Sequence, residues 1–153
     1  MKGKGLQSGV GRLLPQDGDM TLKRCYLSQI LIDDKDNQYV VFVTEHQGKR
    51  RIPIVIGPME AVAIDRAVKG QRFSRPLTHD LIIAMLDAAH LQCKEVRIID
   101  LKEGTFYAEL LLAGGQSADI TLDCRPSDAL ALMVRLPDTP LMVAEEVLAE
   151  AGS

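Results

Sequence analysis

Tryptophan is absent from this chain, and only three Phe and three Tyr stand among its 153 residues. Flat surfaces on which nucleobases stack are therefore scarce, which argues against a general single-strand coat built on rows of aromatics. Charge of one sign is also lacking. A net charge of -3 gives no global attraction to a polyanion, so any nucleic-acid binding must come from a local basic surface. Cysteine is limited to Cys25, Cys93 and Cys124, an odd number with no close pair. That spacing signals neither a disulfide framework nor a thiolate zinc cage, and it points to a reducing cytoplasm. No apolar run approaches the roughly 20 residues that span a bilayer, so no membrane partner is expected. HExxH, the Walker glycine loop, GxSxG and GxGxxG are all missing.

What is present describes an ordinary globular chain. Hydrophobic residues make up 46% and charged residues 25%, enough apolar surface for one compact core. Residues 1–19 are Gly-rich with no apolar stretch of secretory length, and they are expected to be a flexible lead-in. Met20 follows directly and offers a second start for the folded part, 20–153.

Residues 22–32 are β-prone, "DDKDN" supplies a turn, and "QYVVFVTEH" forms the second arm of a hairpin. "IPIVIG" continues as a third strand whose unbroken apolar character implies burial on both faces, with Pro53 marking an edge or a strand start. Helical spacing follows over 59–70, with Gly70 as the stop, and again over 76–89, capped by Thr78 or Ser74. "CKEVRIIDL", "FYAELLLA" and "ADITLD" make a three-stranded meander. A helix over 125–136, a short strand "LMV" and a terminal helix "AEEVLAEA" complete the chain. The order strands, helices, strands, helix predicts an α+β domain with helices packed on an antiparallel or mixed sheet.

Two segments repeat an Arg-Pro-hydroxyl-Asp theme: "RPLTHD" at 75–80 and "RPSD" at 125–128. Capping accounts for most of both, since Thr78 and Ser127 can accept from first-turn amides and Asp80 and Asp128 favour the positive end of the helix dipole. Capping leaves Arg75 and Arg125 unexplained. A guanidinium beside free helix amides makes an anion site, so Arg75, Arg125, Ser127 and Thr78 are candidate phosphate ligands; internal salt bridges to Asp80 and Asp128 are the structural alternative. His79 lies inside the motif and can exchange a proton near neutral pH. His46 and His90 have no such setting. Oxygen-ligated Mg²⁺ or Mn²⁺ would need converging carboxylates, and Glu60, Asp80 and Asp128 are the candidates, with Asp65 and Asp123 less favoured. Lys49, Arg50 and Arg51, and then Lys69, Arg72 and Arg75, are local basic clusters suited to tracking phosphates.

"IPIVIGPMEAVAI" (52–64), "RPLTHDL" (75–81), "GTFYAEL" (104–110) and "DCRPSDALAL" (123–132) occur in an order that resembles the bifunctional nuclease domain family. The likeness runs from about Leu22 to the terminal helix. It implies a compact α+β domain, a homodimer, and hydrolysis of phosphodiester bonds in DNA and RNA. Glu60, Arg75, His79, Asp80, Arg125, Ser127 and Asp128 fall inside its signatures. One departure is His90 in "DAAHLQ", where members often carry glycine. A different class of function, a dimeric regulator that binds a small anionic ligand at the same helix starts, uses the same residues.

Overall fold

The computed structural model describes residues 20–115 and 118–153, so the lead-in expected over 1–19 lies outside the described residues. The elements run β1 (Leu22–Asp33), β2 (Gln38–Glu45), β3 (Arg51–Val55), α1 (Pro58–Val68), α2 (Thr78–Ala88), β4 (Gln92–Lys102), β5 (Thr105–Ala113), β6 (Ile120–Cys124), α3 (Pro126–Met133), β7 (Leu141–Ala144) and α4 (Glu145–Ala151). The seven strands form one mixed sheet in the order β3-β2-β1-β7-β4-β5-β6. Each half is an antiparallel meander, and β7 joins them, antiparallel to β1 and parallel to β4. The α+β class is as the strand and helix patterns require.

One continuous core lies between the sheet and its helices. Alternate residues Val41 and Val43 on β2, Ile52 and Ile54 on β3, and Leu141 and Val143 on β7 point into it. The third strand differs from its expected two-sided burial. Pro53 and Val55 face outward, and Val55 is 79% exposed. The reason is position: β3 is an edge strand with one covered face. Arg51 exchanges backbone hydrogen bonds with Ser153 on the side away from β2. Alternate residues of β3 therefore turn their N–H outward, and proline at 53 removes no bond to β2. That edge is blunted by the C-terminus and by Pro53 and does not invite strand pairing.

Helix α4 contacts both β3 and β4, strands separated by three others in the sheet. In a flat sheet they would stand about 19 Å apart, too far for one helix of about 10 Å diameter. The sheet is consequently curved around α4, and register shifts in β1 and β4 supply the bends. Arg50 fastens the arrangement through a bidentate pair to Glu145 at 2.9 and 2.8 Å and a third bond to Glu45 at 2.7 Å.

The two halves of the sheet are alike, but not through the two Arg-Pro segments. After each meander comes a helix with proline in its first turn: Gly57-Pro58 leads α1 and Arg125-Pro126 leads α3. Helix α2 is an extra element, and its Pro76 precedes the helix by two residues. Gly70 ends α1 with φ +68°, while the N–H groups of Gly70 and Gln71 bond the carbonyls of Ala67 and Arg66. This is a Schellman stop, for which the missing Cβ is suited. Helix α2 stops in the same way at His90, with φ +56° and bonds from His90 and Leu91 to Asp87 and Leu86.

Candidate functional site

Three helices begin with an extended residue and place a carboxylate at their third position: Glu60 in α1, Asp80 in α2 and Asp128 in α3. That position lies over the unpaired first-turn amides, where negative charge is favoured. Neither expected hydroxyl cap forms. The capping residues are Leu77 and Arg125, so Thr78 is the first residue of its helix and is exposed, and Ser127 is the second residue of its own and is buried. The carboxylate does the work at α2: the Leu77 N–H donates to Asp80 Oδ2 at 2.9 Å. The Glu60 carboxylate folds back over Gly57 into the space that a Cβ there would occupy.

The first turns of α2 and α3 meet. His79 Nε2 lies 3.0 Å from Asp128 Oδ1, and the His79 side chain is only 12% exposed. Arg125 joins the third helix start to the same group. Its Nε donates to Asp128 Oδ2 at 2.9 Å, and its Nη1 donates to Glu60 Oε1 at 3.2 Å. Burial pushes the Asp128 carboxyl up, but the bonds from Arg125 and His79 outweigh it and hold the group below the usual carboxylate range. A cavity of about 460 Å³ opens beside this cluster, lined by Gly57, Glu60, Arg125 and Ser127, by Gly104 of the β4–β5 turn and by Phe106 of β5.

Asp80 belongs elsewhere. Its other oxygen accepts from Arg135 Nε at 2.9 Å, and Arg135 is 9% exposed, with further bonds to the carbonyls of Ala131 and Ala63. The Leu77 amide bond, followed by Arg135, holds the Asp80 carboxyl below its ordinary value. Arg75 is exposed and has no ion pair among the described residues. The carboxylates expected to converge on Mg²⁺ or Mn²⁺ do not: Asp80 faces Arg135, whereas Glu60 and Asp128 share Arg125. Among the described residues no three His, Cys, Asp or Glu side chains are grouped as ligands for one ion. A guanidinium standing between the two carboxylates occupies the place of positive charge, so the residues as arranged do not fit a divalent-metal site.

Arg135 was not singled out in the sequence, although an arginine inside the apolar tail "ALMVRL" is a signal for a buried, paired cation. Gly104 and Phe106 stand in the signature "GTFYAEL" as turn and strand residues, with no role in a site assigned to them.

A helix-covered α+β sheet in which the charged starts of α1 and α3 line one cleft, with α2 joined to them through His79, defines the class of protein. The bifunctional nuclease domain model matches residues 40–153, and the chain belongs to that family. An uncharacterized protein of Mycobacterium tuberculosis is 44% identical over 123 residues, which is 80% of this chain and 72% of the relative. Bifunctional nuclease 2 of Oryza sativa subsp. japonica is 31% identical over 98 residues, covering 63% of this chain and 30% of the rice protein. Bifunctional nuclease 2 of Arabidopsis thaliana is 29% identical over 86 residues, covering 55% and 26%. The chain thus spans less than a third of either plant relative. Among the described residues no helix is long and apolar enough to cross a membrane.

Proposed function

We propose that this protein is a nuclease that hydrolyses phosphodiester bonds of DNA and RNA in the cleft beside Arg125. The observation that carries this reading is the His79–Asp128–Arg125–Glu60 chain, which links His79 of α2 to the Glu60 and Arg125 side chains that line the cavity. Arg125 is 64% exposed, so a phosphate can reach its guanidinium while the first-turn amides of α1 and α3 add fixed donors. A carboxylate partner on Nε2 of His79 favours the tautomer that carries its proton there. Nδ1 is then left as an acceptor and can take the proton of a water attacking phosphorus, while the P–O bond to one sugar breaks and the leaving oxygen is protonated by solvent. Asp128 orients the ring and stabilises the imidazolium that forms, as the acid does in a catalytic triad. Asp80 is assigned to holding the start of α2, and its removal acts through stability.

The test is cleavage of labelled single-stranded DNA and RNA by purified wild type, His79→Ala and Asp128→Asn, each checked for folding by circular dichroism. Loss of at least about a hundredfold in kcat in both variants is expected, the size of a general acid–base contribution. Activity should persist in a chelator. Equal activity in wild type and His79→Ala would sink the reading. The name of the plant relatives, bifunctional nuclease, supports it.

A further inference from the structure

The segment between α1 and α2 carries charge and an aromatic ring that the cleft beside Arg125 leaves unused. The Schellman stop at Gly70 turns the chain back over the last turn of α1. Arg72 and Phe73 are thereby brought beside Arg66, whose guanidinium carbon sits 5.2 Å from the Phe73 ring centroid. Phe73 is 46% exposed, so the ring contributes little to the core. Next to it lies a cavity of about 520 Å³ lined by Arg66, Arg72, Phe73, Leu77, Asp80 and Arg135. The charge of Arg135 is balanced by Asp80, and Lys69 is paired with Asp65. Arg66, Arg72 and Arg75 have no ion-pair partner among the described residues. Three uncompensated guanidinium groups within ten residues stand out on a chain whose net charge is -3.

We infer that this segment is a strand-holding subsite, in which one base of single-stranded DNA or RNA stacks on Phe73 while its flanking phosphates lie against Arg72 and Arg75. The inference rests on the nuclease reading for the identity of the strand. An exposed aromatic ring beside fixed cations is the arrangement that holds unpaired nucleotides, whereas a duplex keeps its base faces covered. Leu77 and Asp80 line the cavity, and His79 lies between them in sequence on the first turn of α2. A strand seated on Phe73 therefore reaches the first turn of α2, the turn that also carries His79.

The absence of tryptophan supplies the experiment, because Phe73→Trp introduces the only indole in the chain. In the His79→Ala background, titration with a 12-nucleotide single strand is expected to quench this fluorescence, with little quenching by the matching duplex or by a mononucleotide. Phe73→Ala should weaken binding, read by anisotropy of the labelled strand, by about tenfold, and Arg72→Ala with Arg75→Ala should lower the slope of log affinity against log salt by about 1.4. Three outcomes overturn the inference: unchanged indole emission while anisotropy reports saturation, equal quenching by duplex or mononucleotide, or wild-type affinity in Phe73→Ala. Failure of the hydrolase reading is separate: an inactive wild type that still quenches in its Phe73→Trp form leaves the subsite standing.

Discussion

Asp128 receives the Arg125 guanidinium on one oxygen and faces both Arg125 and the His79 ring with the other, so one carboxylate sets the position of two candidate catalytic groups. Asparagine keeps its size but presents an amide, and Asp128→Asn is expected to lower kcat far more than it raises KM. A pure binding role would change KM alone. Asp80 behaves differently because its partner Arg135 is largely covered, with 9% of its side chain exposed. Replacing Asp80 with Ala strips Arg135 of its carboxylate but leaves its two carbonyl bonds. Urea denaturation should show a loss on the order of 1–2 kcal/mol, with the kcat of the folded fraction retained. The thiols give a further residue-scale expectation. Burial pushes Cys25 and Cys93 up to about 11 and Cys124 up to about 12. Thiolate, not thiol, reacts with alkylating reagents, so native protein at neutral pH should be alkylated slowly and unfolded protein rapidly.

At the scale of elements, the two Schellman stops form a natural pair. Gly70 adopts φ +68° without cost, whereas His90 holds φ +56° against its own Cβ. His90→Gly is expected to raise the melting temperature, corresponding to roughly 0.5–1 kcal/mol, and Gly70→Ala to lower it by about 1 kcal/mol. Thermal unfolding followed by circular dichroism checks both. The departure at His90 was legible in the sequence, but its meaning was not, because only the backbone angle shows that this position favours glycine. Helix and strand identities were likewise legible, since periods of 3.6 and 2 are local properties. The cap residues were misassigned at Thr78 and Ser127 because two helix starts shift by one or two residues, and a carboxylate at the third position performs the same task as a hydroxyl at the first.

At the scale of the molecule, several depressed carboxylates make folding sensitive to acid. Asp80, Asp128 and Glu145 all titrate below their ordinary values in the folded chain, through the Leu77 amide, through Arg125 and His79 acting against burial, and through Arg50 respectively. A folded-state value below the unfolded one contributes stability that is present above about pH 4 and is lost as pH falls further. Urea midpoints should accordingly hold between pH 7 and 5 and drop at pH 3. Asp80→Asn should flatten that drop.

The residue string alone determined the α+β class, the first hairpin and third strand, the second meander, the helices, the edge or strand-start position of Pro53 and the place of His79 and both Asp-bearing motifs among the family's signatures. These depend on neighbours a few positions apart. Tertiary structure alone decided that β7 enters between the meanders, that Asp80 turns to Arg135, and that Arg125 spans Glu60 and Asp128. Charges choose partners by distance in space, and His79 and Asp128, or Arg50 and Glu145, are 49 and 95 residues apart in the chain. Composition cannot rank such pairings, because each arginine has many carboxylates available until the curved sheet brings one of them within 3 Å.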